Sequence, residues 1–234
     1  MNLRWGKGLP KRFLSEVLPT VVVAALILVF AFWKEQTVLK TLPTLITLVV
    51  QILMVRANRY GFLLGGFNAA LYGVGFLTEG LYFSAGSSIL FSFPMQIWSF
   101  FHWKKHSSGQ KVELQILRPL PRVLIVVGTL AGWVFCLFAL RPLFSDAVLP
   151  ELDAYLFVAG VVVTVLMALR IVEAQYLNLL SGILNLILWI LIVIKDPADM
   201  NYMVISVYNL IRTTEAAVRW TVQYLHQKNV SKEE

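Results

Sequence analysis

Of the chain's 234 residues, 58% are hydrophobic and only 14% charged, with mean hydropathy +0.73. A globular domain carries about a quarter charged residues, so a water-soluble domain is excluded and lipid is the expected solvent. The net charge of +7 does not point to nucleic acid, because Lys and Arg stand in short segments between apolar runs, where they act as topology signals.

The first apolar run, 14–33, follows a basic N-terminus. No small-residue cleavage site follows it, so it reads as a retained helix. Runs at 41–57 and 60–78 come next, divided only by Arg56-Ala57-Asn58-Arg59-Tyr60, and then 82–103. A fifth run, 121–141, is framed by Pro121 and Pro142 and contains no amide or acidic side chain; its Gly128 and Gly132 suit ordinary close packing. It holds the single cysteine, Cys136, which excludes an internal disulfide and makes a metal cluster implausible. The last runs are 154–171, 175–194 and 201–220. Each is long enough to span a bilayer, which predicts an all-α integral membrane protein of eight transmembrane helices.

Charge checks that count. With the N-terminus inside, the inner segments hold Arg4, Lys7, Lys11, Arg12, Arg56, Arg59, Lys104, Lys105, Lys111, Arg118, Arg122, Arg170, Arg219, Lys228 and Lys232. The outer loops hold Lys34, Lys40, Arg141 and Lys195, together with Asp146, Glu151, Asp153, Asp196 and Asp199. This bias is the positive-inside rule, and it puts both termini in the cytoplasm.

Sliding the sequence by 117 residues superimposes Gly65-x-x-Asn68-x-x-Leu71-Tyr72 on Gly182-x-x-Asn185-x-x-Leu188-Trp189, Trp103 on Trp220 and Thr47 on Thr164. The expected organisation is an extra helix in 1–40, a three-helix unit in 41–106, a loop and linker helix in 107–141, a second unit in 142–220 and a cytoplasmic tail from 221 to 234. Two units joined by one linker helix share an orientation, a 3+1+3 parallel repeat of the kind transporters rock about a central site.

Polar side chains within spans face a bundle interior or a water-filled path. Gly61, Gly65, Asn68 and Tyr72 form one stripe; Asn178, Ser181, Gly182, Asn185 and Trp189 form another. Ser88, Ser92, Gln96, Ser99 and Trp103 line up on the fourth span; Ser206, Asn209, Thr213, Ala216 and Trp220 line up on the eighth; Thr44, Thr47 and Gln51 lie on the second. Amides donate and accept hydrogen bonds, and rings stack on heterocycles or attract cations. The candidate substrate-binding residues are Asn68, Ser92, Gln96, Trp98, Gln175, Asn178, Asn185, Trp189, Tyr208 and Asn209. They suit an uncharged or singly cationic ring compound bearing hydroxyls. Asn68 and Asn185 are as well suited to tying helices together.

Arg212, with Glu215 one turn on, reads as an ion pair or a snorkelling cation. Glu79 and Glu173 fall near span ends, so no carboxylate is placed for proton coupling and a facilitator is expected. Metal or cofactor sites are not indicated. G-x-S-x-G, HExxH and P-loop motifs are absent, and His102, His106 and His226 lie at or beyond a cytoplasmic helix end, so an enzyme is not expected.

Over about 41–220 the chain resembles the Pnu family of bacterial vitamin transporters, on the duplicated three-helix unit, the Gly-x-x-Asn of the third span, Gln96-Ile97-Trp98-Ser99-Phe100-Phe101-His102-Trp103 and Asn209-Leu210-Ile211-Arg212. The resemblance implies a SWEET-like architecture, a bacterial inner-membrane location, facilitated diffusion with phosphorylation trapping the substrate inside, and a homotrimer. It implies nicotinamide riboside as substrate, with thiamine, riboflavin or a deoxynucleoside open beside it; a SWEET-type sugar carrier and a membrane-embedded enzyme are the remaining readings. One departure stands out. The family's nicotinamide riboside carriers resemble each other in a Trp-x-x-Trp that, aligned on Asn185, falls here on Asn178 and Ser181.

Overall fold

The structure, a computed structural model, describes residues 9–105, 107–108, 111–143 and 147–230. The expectations resting on Arg4, Lys7, His106, Asp146 and Lys232 lie outside the described residues, as do the side chains of Lys11, Arg12, Lys111 and Arg141.

Apolar runs set the helices and local chemistry sets their ends. Helix α1 (Leu9–Trp33) is followed by α2 (Val38–Val55) and α3 (Tyr60–Thr78). A rod then runs through α4 (Tyr82–Gly86), a π-helical stretch (Ser87–Ser92) and α5 (Phe93–Lys105). Two-residue strands at Ser107–Ser108 and Lys111–Val112 pair antiparallel. Helix α6 (Pro119–Phe135) passes into a second π stretch, Cys136–Leu140. Then come α7 (Pro150–Ala168), α8 (Glu173–Lys195) and α9 (Met200–Val230).

Two boundaries differ from expectation for visible reasons. Helix α7 starts at residue 150, because Leu149 is left-handed (φ 45°) and Pro150 suits a first helical position. Helix α9 continues to residue 230, because Gln223 and Gln227 both donate to Val112 O (2.9 Å) and Gln227 accepts from Leu114 N. Among the described residues, five helical segments are long and apolar enough to cross a membrane, at Val38–Val55, Tyr60–Thr78, Pro119–Ala139, Pro150–Ala168 and Glu173–Lys195; Val17–Trp33 is a shorter apolar one.

The packing forms a ring. Helix α2 lies on α3, α3 on the π stretch and α5, the α4–α5 rod on α7, α7 on α8, α8 on α9, and α9 back on α2. Helix α1 packs outside this ring against α2 and α9, and α6 against α7.

Left-handed Ala57 (φ 50°) and Arg170 (φ 64°) follow the ends of α2 and α7. They stand 113 residues apart, as do the starts of α3 and α8. Because α8 has 23 residues and α3 has 19, an offset of 117 is regained by Trp103 and Trp220. Counted from its helix start, Asn185 therefore lies one turn deeper than Asn68, about 6 Å at 1.5 Å per residue.

Candidate functional site

A cavity of about 220 Å³ opens beside α3, lined by Val50, Gly65, Asn68, Ala69, Tyr72, Phe76, Ser88, Ser92 and Gln96. No lining residue is charged. Ser88 and Ser92 reach it from the π-helical stretch, a distortion frequent at functional sites. Asn68 is buried and donates through Nδ2 to Thr47 Oγ1 (2.8 Å). Thr47 Oγ1 accepts that bond and shares its own proton between Pro43 O (2.9 Å) and Tyr72 OH (3.1 Å). Asn68 Oδ1 remains buried without a partner among the described residues.

Towards the end of the ring that holds Glu79 and Asp199, aromatic rings of α3, α8 and α9 meet. Tyr72 stacks on Phe76 at 5.4 Å, Trp189 stacks on Tyr202 at 4.3 Å, and Phe76 lies 6.2 Å from Trp189. Beyond them Lys40 binds Glu79 and Asp199, while Gln36 bonds Asn201 and Ala198 O. Burial pushes the Asp199 carboxyl up to about 6. On the opposite seam Asp153 caps the start of α4, accepting from Phe83 N (3.0 Å), Ser84 N (3.1 Å) and the Ser84 hydroxyl.

The structure thus brings Asn68, Ser92 and Gln96 into one cavity and joins Trp189 to its edge through Phe76. Four candidates lie on α8 and α9 instead. Asn185 Nδ2 donates to Ser206 Oγ (2.9 Å) and Asn178 Nδ2 reaches Thr213 Oγ1 (3.4 Å). Gln175 Nε2 and Asn209 Oδ1 are buried with no partner among the described residues. Two face elsewhere. Tyr208 OH meets Thr20 Oγ1 of α1 (2.9 Å), and Trp98, 46% exposed, stacks on His102 at 4.7 Å. Arg212 pairs with Glu215 (2.6 Å). Sequence reasoning missed Phe76 and Tyr202. Phe76 carried a signal, one turn after Tyr72; Tyr202 carried none.

The model of the family described as nicotinamide mononucleotide transporter matches residues 37–222. No curated protein matches the chain. A solved structure described as the crystal structure of the vitamin B3 transporter PnuC superimposes with a TM-score of 0.78 at 22% identity, over 90% of this chain and 92% of that one. That likeness establishes the fold.

Proposed function

The chain belongs to the nicotinamide mononucleotide transporter family, a multi-pass membrane transporter and not an enzyme, and from that premise we propose that it is a facilitator for a neutral-to-cationic nucleoside-like vitamin, nicotinamide riboside first. The observation that carries this reading is the chemistry of the cavity: two amides, two hydroxyls and two aromatic residues with no Lys or Arg among them. A riboside's hydroxyls and flat ring suit that lining; a phosphate would lack a cationic partner. Asn68 Oδ1, Gln96, Ser88 and Ser92 are assigned to the substrate's polar groups. Asn178 and Asn185 are assigned to the second half of the path, along with Gln175, Trp189 and Asn209.

The same reading takes all eight apolar runs as spans in a bacterial inner membrane, with both termini cytoplasmic and a homotrimer as the assembly. The closed ring supports a parallel repeat, since each unit's first helix lies on the other unit's last. Alternating access then means loosening the outer or the inner end of that ring in turn. No carboxylate lines the cavity, which fits facilitated diffusion with phosphorylation trapping the product.

A thermal-shift screen of the purified protein tests the substrate class, because a ligand binding only the folded state raises its stability. Stabilisation by nicotinamide riboside, with none by mono- or disaccharides, is the expected outcome. Stabilisation by sugars alone contradicts it, and thiamine, riboflavin or deoxynucleosides in its place would redirect the substrate.

A further inference from the structure

We propose that Gly65 is a positioning residue: its missing side chain sets where the Gln96 amide stands in the cavity, and so the size of ring the site accepts. The inference rests on the cavity's being the substrate site. Glycine is disfavoured inside a helix relative to alanine, so a mid-helix glycine is explained by a demand for space. Here the demand is specific. A Cβ at Gly65 would collide with Gln96 Oε1, and it would meet Val50 Cγ1 at 3.4 Å and Gln96 Cδ at 3.5 Å. At Gly66 the same added atom would meet Ile97 Cδ1 at 3.1 Å, Phe93 O at 3.4 Å and Gln96 Cβ at 3.5 Å. The pair of glycines therefore forms a shelf on α3 that receives the root of Gln96 at Gly66 and its amide at Gly65.

The atom in conflict is the far end of a flexible side chain, so Gly65→Ala leaves the fold intact and displaces the amide. With Val50 on one flank and the side chain's root held at Gly66, the displaced amide swings into the cavity and narrows it.

The test is nicotinamide riboside uptake by the full chain in proteoliposomes. Gly65→Ala should raise KM by about tenfold, the scale of a small steric change in a fitted pocket, with little change in maximal rate or melting temperature. Adding Gln96→Asn, shorter by one methylene, should restore most of that loss; a helix merely disturbed by the methyl would not be rescued so. An unchanged KM in Gly65→Ala, or no rescue, overturns the proposal. Gln96→Asn alone supplies a second reading should Gly65→Ala fold poorly. By enlarging the cavity it should shift the KM ratio towards a ring-alkylated analogue of the riboside, and an unchanged ratio overturns the proposal. If the unaltered protein carries another vitamin, the same comparisons are read with that vitamin. If it carries none, the functional reading itself fails.

Discussion

Trp103 and Trp220 meet with ring centroids 5.7 Å apart, and each indole reaches across to the opposite half of the ring. Trp103 Nε1 donates to Met167 O and Ala168 O (3.0 and 3.2 Å); Trp220 Nε1 donates to Met54 O (3.2 Å). Trp103 thus holds the C-terminal end of α7, and Trp220 that of α2. Phe at either position keeps most of the ring and loses the donor. Trp103→Phe and Trp220→Phe should each cost about 1 kcal/mol, and the double variant should depart from additivity because the rings touch. Thermal melts of the four proteins in detergent measure both quantities.

The opposite end of the ring buries the Asp199 carboxyl beside Lys40, and its pH response has a definite sign. The Asp199 carboxyl, ordinarily near 3.8, is raised to about 6 by burial, so the folded state binds a proton more readily than the unfolded one. Its contribution to stability is full below about pH 4 and is lost as pH rises through about 6. Melting temperature should fall across that window in the unaltered protein and vary less in Asp199→Asn. An identical profile in the two proteins refutes this.

Thr47 supports the cavity from behind by accepting from Asn68 and donating to Tyr72. Thr47→Val keeps the shape and leaves the buried Asn68 amide without its acceptor, at a cost of about 1–3 kcal/mol. Denaturation in detergent reads the loss; transport should show a raised KM, because Asn68 is no longer held in place.

How far the sequence revealed this arrangement varied with the kind of signal. Long apolar runs divided by Arg59 or framed by Pro121 and Pro142 marked most helices to within about five residues. The exceptions were the ends of α7 and α9, which depend on a left-handed Leu149 and on tertiary bonds to Val112. The stripe of Gly65 and Asn68, and the facing stripe of Ser92 and Gln96, were legible because period and polarity coincide. Trp98 and Tyr208 lie away from that cavity, a placement the sequence could not distinguish, since an aromatic next to a polar stripe reads the same whether it faces a cavity, lipid or α1. The Asn68–Asn185 match looked symmetric, but the four extra residues of α8 shift it by a turn.

Function should separate these groups. Gln96→Ala in the cavity and Asn178→Ala, assigned to the second half of the path, should each weaken substrate binding by more than about 1 kcal/mol, whereas Trp98→Ala, half-exposed and stacked on His102, should leave affinity unchanged. Equilibrium binding of nicotinamide riboside to the purified variants measures this; unchanged affinity in both amide variants makes those residues structural.

The central claim is that this chain moves a nucleoside-like vitamin through its ring of helices. Uptake of radiolabelled nicotinamide riboside into proteoliposomes tests it most directly. The account predicts saturable flux that equilibrates without an ion gradient and is not competed by the 5′-phosphate. With the protein correctly inserted, no flux of any vitamin or nucleoside would contradict it.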